Sequence, residues 1–514
     1  MSPPTQSLTF DFAGIQLDRR HGLSRQLYQG LRQRILDGGL SSGTRLPATR
    51  DLASALAISR NSVMRAYDQL YAEGFIEGRI GDGTYVAQLP DKTHRPKKLS
   101  TKPSTGLPTG LPTALSTKQS KGTDDSSSKV IHTTALELLV RHHLSPGKIG
   151  LPRAFRVGVP AFDLFPFAVW GKLHAAFWRK PDMRQLGYGD AAGDWRLREL
   201  IAAYLRTSRD LHCNAAQIVI TSGAQQAITL CAQLLLDVGD GVAVENPGYR
   251  AAGHAFAIAG AMLHGIAVDG EGMCSDELDR SSSKLAYVTP SHQYPTGVTM
   301  SLARRLQLLA WAERTGGWIV EDDYDGEYRY SGAPLAPLAA LDQHGRVLYV
   351  GTFGKVAFPA LRLGYLVLPL NLVEPFSQRR AVDMRHSEIG TQAVMAEFIA
   401  AGHFQRHIRR MRRAALNRRN ALLAGWPHDI PGCGPMPKPM AGLHVALNVD
   451  SIAREQSLVA LAESVGVEIN PLSEYWLPES STPMDERAGL VLGFAAVPEA
   501  DIASALERLR KVWT

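Results

Sequence analysis

The chain has 514 residues, 45% of them hydrophobic and 20% charged, which is the balance of an ordinary globular protein with two to four domains. Its four cysteines, Cys213, Cys231, Cys274 and Cys433, form no CxxC pair and have no histidine at ligand spacing, which excludes a zinc module or disulfide framework. The start, Met1-Ser-Pro-Pro-Thr-Gln, carries no charged stretch leading into an apolar one, and no apolar run approaches the ~18 residues of a spanning helix. A cytoplasmic protein is expected, with no metal, and its net charge of +7 leans weakly toward a polyanionic partner.

Residues 23–38 place Leu23, Leu27, Leu31, Ile35 and Leu36 at helical spacing. Leu46-Pro-Ala-Thr-Arg-Asp-Leu-Ala starts a second helix, with Pro47 near its first turn. After a turn at Ala57-Ile58, Ser59 is a fitting N-cap for a third helix that presents Arg60, Asn61 and Ser62 at its N-terminal end. That end is where a recognition helix needs donors for base edges and phosphates. Gly74-Phe-Ile-Glu-Gly and Gly81-Asp-Gly-Thr-Tyr-Val then read as two short strands around a glycine turn.

The run LPATRDLASALAISRNSVMRAYDQLYAEGFIEGRIGDGTYVA resembles the winged helix of GntR-type bacterial regulators, over residues 20–88. The resemblance implies a partner, double-stranded promoter DNA, and gives Arg50, Arg60, Asn61, Ser62 and Gly81 as residues facing it. At Met64 some relatives carry a contacting arginine.

Residues 89–130 turn to Lys, Pro, Ser, Thr and Gly, as in Arg95-Pro-Lys-Lys-Leu-Ser-Thr-Lys-Pro-Ser. Too few large apolar residues are present to pack a core, so a flexible basic linker is expected.

From about Val130 short apolar runs alternate with helix-like segments, the rhythm of buried parallel strands with crossover helices. A long Arg-rich helix over residues 402–424 precedes a smaller α+β unit holding Gly442-Leu-His-Val-Ala-Leu and Gly489-Leu-Val-Leu-Gly-Phe. The run Arg406-His-Ile-Arg-Arg-Met-Arg-Arg on that helix reads as a solvated or interdomain face.

Four features in this region suit pyridoxal phosphate, which needs an anion site, a lysine, a carboxylate under its ring nitrogen and a ring clamp. Ser222-Gly-Ala-Gln-Gln-Ala opens a helix after a strand, so the N–H groups of Gly223 and Ala224 can hold a phosphate. Tyr249, in Asn246-Pro-Gly-Tyr, can stack on a ring. Trp318-Ile-Val-Glu-Asp-Asp-Tyr-Asp-Gly-Glu-Tyr ends a strand in an acidic cluster, in which Asp322 can keep a pyridine nitrogen protonated and Tyr324 can hydrogen-bond a ring hydroxyl. A metal site is the rival reading of those carboxylates, but no histidine cluster accompanies them in the sequence. Lys355, in Gly351-Thr-Phe-Gly-Lys, stands just past a strand, with Thr352 before it and Arg362 after it as donors to a phosphate or a carboxylate.

Together these motifs resemble fold-type I aminotransferases, an α/β fold with a smaller C-terminal α+β subdomain, over residues 150–514. The combination with the winged helix resembles the MocR subfamily of GntR regulators, as do Gly187-Tyr-Gly-Asp-Ala-Ala-Gly and Thr289-Pro-Ser-His-Gln-Tyr-Pro-Thr-Gly. The resemblance implies pyridoxal phosphate on Lys355 as a Schiff base, with Ser222, Gly223, Ala224, Tyr249, Asp322, Tyr324, Thr352 and Arg362 around it. It also implies a homodimer in which each winged helix lies against the partner's large domain.

Two departures stand out. Active aminotransferases usually have Asn before Pro-Thr-Gly, where this chain has Tyr294, leaving His292 or Gln293 as substitutes. Many also carry an arginine near the start of the last strand for the substrate carboxylate, where this chain has Gly489-Leu-Val-Leu-Gly-Phe with Arg487 nearby. The expected function is a regulator that senses an amino compound, or pyridoxal phosphate itself. The alternatives are an active aminotransferase with an added DNA-binding domain, or a winged helix joined to a domain without cofactor.

Overall fold

The computed structural model describes residues 17–18, 22–79, 82–88, 133–142, 148–330 and 335–513. Gly81 and the linker at 89–130 lie outside them.

The N-terminal unit runs α1 (Leu23–Leu36), β1 (Arg45–Leu46), α2 (Thr49–Ala55), α3 (Arg60–Ala72), β2 (Ile76–Arg79) and β3 (Gly83–Val86). Leu27, Leu31, Leu52, Val63, Leu70 and Val86 form its core, each contributing roughly 1.5–3 kcal/mol by burial. One boundary differs from the sequence expectation. Leu46 does not open the second helix but pairs with Thr84, adding a third strand to the wing in the order β1-β3-β2. The reason is Pro47, whose ring pushes the preceding residue out of the helical region into an extended conformation.

This unit rests on the large domain of its own chain. Arg25 and Gln29 on α1 both donate to Asp210, at 3.1 and 2.6 Å, and Arg25 also reaches the Thr207 carbonyl at 3.1 Å. Arg32 donates to the Ala340 carbonyl at 3.3 Å. Leu302 and Leu341 of the large domain join the winged-helix core, so the contact is apolar as well as ionic.

The large domain is built on β4 (Ile218–Thr221), β5 (Gly241–Asn246), β6 (Met262–Asp269), β7 (Gly272–Met273), β8 (Ser283–Val288), β9 (Trp318–Asp323), β10 (Val347–Thr352) and β11 (Gly364–Val367). Their order in the sheet is β4-β11-β10-β9-β8-β5-β6-β7. The β6-β5-β8-β9-β10 run is parallel, as the alternation of strands and helices predicts. β11, by contrast, is antiparallel to both its neighbours. The short return from β10 to β11 holds no crossover helix, and without one the chain reverses rather than re-entering in parallel. In the register, Val350 lies beside Asp322 and Gly351 beside Asp323, which brings the acidic end of β9 level with the end of β10 that leads to Lys355.

The long helix His403–Gly425 leads into the smaller unit, an antiparallel sheet of β12 (His444–Asn448), β13 (Asn470–Pro471) and β14 (Gly489–Gly493) backed by helices Ile452–Ser464 and Glu499–Trp513. Phe155 bridges to Gly493 and is buried in this unit's core, and three residues later the Gly158 carbonyl meets Lys355. No helix among the described residues is long and apolar enough to cross a membrane.

Candidate functional site

The C-terminal ends of the parallel strands open into a cavity of about 250 Å³. Gly223, Ala224, Tyr249, Asp322, Tyr324, Thr352, Lys355 and Arg362 all line it. Ser222 is the one member of the sequence-derived cofactor set outside the lining. Its carbonyl accepts from Arg362 at 2.6 Å and so fixes that guanidinium beside the turn.

The turn is shaped by glycine. Gly223 has φ 85°, and a Cβ there would lie 3.2 Å from the Arg362 guanidinium. Gly364 admits the turn from below, since a Cβ on it would come within 2.9 Å of Gly223 Cα. Helix Ala224–Leu235 starts here, and its first-turn N–H groups have no acceptor within the helix. With Arg362 they make an anion cradle.

Across the cavity, Asp322 Oδ2 accepts from Tyr287 at 2.7 Å, while Oδ1 is buried with no hydrogen-bond partner. Burial pushes the carboxyl up to about 7, against the Tyr287 bond that holds it down. A buried carboxylate oxygen left over in this way asks for a cationic or N–H donor. Lys355 donates to the Gly158 carbonyl at 2.8 Å, and burial lowers its ammonium below the ordinary lysine range while Asp325 and Asp322 oppose the shift. Tyr324 donates to the His292 carbonyl at 2.8 Å.

The other carboxylates of the acidic cluster are each engaged through at least one oxygen, although Asp323 Oδ1, like Asp322 Oδ1, is buried without a hydrogen-bond partner. Glu321 accepts from the Leu338 and Ala339 N–H groups, Asp323 from Arg209 and Tyr349, and Glu327 from Tyr204. Asp325 lies 3.0 Å from His292 Nδ1. The sequence showed no histidine cluster, yet the fold brings ligand atoms of His292, Asp325 and His444 within 4.8 Å of one another. His292 Nδ1 also lies 3.1 Å from the Tyr324 hydroxyl and His444 Nε2 lies 3.0 Å from the Pro295 carbonyl, while His292 Nε2 is buried without a hydrogen-bond partner.

Of the two candidates for the missing asparagine, His292 therefore reaches the site, through Tyr324. Gln293 is turned away, donating to the Pro247 carbonyl at 2.9 Å. Tyr287, Thr289, Gln225, Val157, Gly158, Tyr294 and His444 also line the cavity and were not singled out as site residues in the sequence. Two of them left a signal there, Tyr287 as a hydroxyl in the apolar run Leu285-Ala-Tyr-Val and Tyr294 as the departure before Pro-Thr-Gly.

On the N-terminal unit, α3 is capped by Ser59, whose Oγ accepts from the Ser62 N–H at 3.1 Å. Arg50, Arg60 and Asn61 are exposed, Ser62 is half-buried with its hydroxyl 2.9 Å from that of Ser59, and Arg60 leans on Thr49 at 3.3 Å. Met64 is exposed one turn further along.

Residues 23–86 match the family of bacterial regulatory proteins of the gntR type, and residues 164–509 match aminotransferase class I and II. The chain is 35% identical to the "Probable rhizopine catabolism regulatory protein MocR" of Rhizobium meliloti, over 96% of this chain and 94% of that one. It is 30% identical to the "HTH-type pyridoxine biosynthesis transcriptional regulator PdxR" of Corynebacterium glutamicum, over 92% of each. Among solved structures it is similar to the α-aminoadipate aminotransferase LysN of Thermus thermophilus, complexed with N-(5'-phosphopyridoxyl)-L-leucine. The TM-score is 0.64 at 25% identity, covering 74% of this chain and 95% of that one.

Fold and site thus define a pyridoxal-phosphate-type aminotransferase domain joined to a DNA-binding winged helix. The chain belongs to the MocR-type regulators of the GntR family.

Proposed function

We propose that this regulator holds pyridoxal phosphate on Lys355, and that its grip on promoter DNA responds to an amino compound or to the cofactor itself. The observation that supports this is a single cavity lined by both the helix-opening turn Gly223-Ala224 with Arg362 and a carboxylate with an orphaned oxygen, in a chain that also bears a winged helix. When bound, pyridoxal phosphate supplies an electrophilic carbon and an electron-withdrawing ring. Gly223, Ala224, Thr352 and Arg362 would bind the phosphate, Asp322 would hold the proton of the ring nitrogen, Tyr324 would orient the ring hydroxyl, and Tyr249 would cover the ring. Lys355, kept less basic by burial, supplies the neutral amine that a covalent link needs. The domain division we adopt is 20–88, 89–130 and 150–514, in a cytoplasmic homodimer reading paired half-sites.

A physical route joins cavity and winged helix. Arg209 is buried on Asp323, on the Ser291 hydroxyl at 3.1 Å and on the Gly326 carbonyl at 3.0 Å, all beside cavity residues. Its neighbour Asp210 points the other way, to Arg25 and Gln29 of α1, and α1 shares its core with α3. A ligand acts on DNA binding only through differential affinity for two arrangements of this contact. Asp210→Ala is expected to leave the cofactor spectrum intact and remove most of a ligand-induced change in DNA affinity. That coupling is typically ~1–3 kcal/mol, and fluorescence anisotropy with and without ligand measures it.

Arg60→Ala tests the DNA face. Specific binding should weaken by ~1–3 kcal/mol if Arg60 reads a base edge. If it meets phosphate alone, affinity should fall for every sequence and the salt slope should shrink. The proposal as a whole is tested with a fragment from the chain's own upstream region. Affinity that is the same with and without pyridoxal phosphate and amines would remove the sensing function.

A further inference from the structure

The cavity also bears on what kind of amino compound enters it, an inference that rests on the cofactor-bound regulator proposed above. Buried carboxylates are recognised by a cation, most often an arginine fork, because an ionised carboxylate stripped of water without one is strongly disfavoured. Among the described residues lining the cavity, the cationic side chains are Lys355 and Arg362. Lys355 donates to the Gly158 carbonyl at 2.8 Å and feels the charges of Asp325 and Asp322, and Arg362 is committed to the anion cradle through Ser222.

Of the arginines next to lining residues in the chain, Arg250, beside Tyr249, donates to the Glu474 carbonyl at 3.0 Å. Arg156, next to the lining residue Val157, forks onto Glu468, with Nη2 to Oε1 at 2.8 Å, and also reaches the Gly150 carbonyl at 3.1 Å. Arg487, before the last strand, donates to the Thr482 and Ser480 carbonyls at 2.8 and 2.6 Å. The face of the small sheet turned to the cavity offers no replacement. His444 lines the cavity, Ala446 follows it on the same face, and Val491 of β14 is paired opposite Ala446. Burial keeps the His444 imidazole neutral by driving its basicity well down.

What the wall does offer is aromatic. Tyr294 meets Tyr249, Tyr324, Tyr475 and His444 at ring-centroid distances of 5.7, 5.9, 5.3 and 5.2 Å. Its hydroxyl lies 3.1 Å from that of Tyr475. Such a wall favours an ammonium group, an apolar body or a hydroxyl, and gives a carboxylate no counter-charge.

We propose that the effector is a primary amine that carries no carboxylate, its body apolar or hydroxylated. One relative in the aminotransferase class is named for aromatic amino acids, and this wall would reverse that preference.

Matched pairs test the idea directly on the full-length holo-protein: 2-phenylethylamine against phenylalanine, tyramine against tyrosine, ethanolamine against serine. Each is titrated while the absorbance of the bound cofactor and the affinity for upstream DNA are followed. The amine of at least one pair should half-saturate at a concentration ~10-fold or more below that of its amino acid, and no amino acid should outdo its amine. Amino acids matching or exceeding their amines would overturn the inference. So would silence from every compound in a protein that shows the cofactor band, since the cofactor would then be the signal. A protein with no cofactor band at all would instead refute the cofactor reading on which this rests. His444→Arg supplies the absent cation from the same face. In a variant that retains the cofactor band, the ratio of amine to amino-acid affinity should swing toward the amino acid by ~10-fold or more. An unchanged ratio would show that counter-charge does not set the choice.

Discussion

Lys355→Ala should abolish covalent attachment of the cofactor while leaving the protein folded. Borohydride treatment of the wild-type holo-protein should place pyridoxyl mass on one peptide, the one containing Lys355, and the variant should take up none. The fold survives because the lysine's Nζ makes one hydrogen bond, to the Gly158 carbonyl, whose loss is worth roughly 1 kcal/mol. The phosphate cradle is untouched, since Gly223, Ala224 and Arg362 are positioned by the β4–helix turn and by Ser222 rather than by the lysine. Free pyridoxal phosphate should therefore still bind, reversibly and more weakly, and still raise thermal stability by mass action. Label on any other lysine would overturn the assignment. So would a wild-type protein that releases all its cofactor after reduction.

The parts of this site that were legible in the sequence are those where one short segment carries both the chemistry and its placement. Asp322 and Tyr324 stand at the end of an apolar run, Lys355 stands just past another, and Ser222-Gly-Ala opens a helix, so strand-end geometry follows from the local pattern. Ser59 was legible for the same reason, as a capping side chain immediately before an amphipathic helix. What stayed hidden depends on distant segments meeting. Tyr287 becomes an Asp322 partner because β8 and β9 pair in parallel with Tyr287 opposite Val320. Gly158 reaches Lys355 because Phe155 is stitched to β14, at the far end of the chain. The Arg209–Asp210 pair looks like two unremarkable surface charges until the fold sends one into the sheet and the other onto α1. The antiparallel β11 was missed because an apolar strand reads the same in either direction.

The stabilisation that the cofactor confers should depend on pH, with Asp322 as the cause. Four carboxyls, those of buried Glu245, Glu321 and Asp322 and of half-buried Glu327, are each pushed up to about 7, chiefly by loss of solvent. In the unfolded chain such groups titrate near 4. Between roughly pH 4 and 7 the folded protein therefore holds protons that the unfolded chain has released, so stability falls as pH rises. The upper limit is ~1.4 kcal/mol per pH unit for each such group. Of the four, Asp322 is the one that lines the cavity. A protonated ring nitrogen beside its orphaned oxygen would hold it ionised and cancel its share of that loss. Pyridoxamine phosphate shares the ring and phosphate but has no carbonyl, so it isolates this effect from attachment to Lys355. At saturation it should raise the melting temperature more at pH 8 than at pH 5, and the difference should shrink in Asp322→Asn, whose amide does not titrate. The apo form of that variant should also lose less stability between pH 5 and 8 than the apo wild type, by about one group's worth. A cofactor effect that is equally pH-dependent in wild type and variant would show that Asp322 does not meet the ring nitrogen.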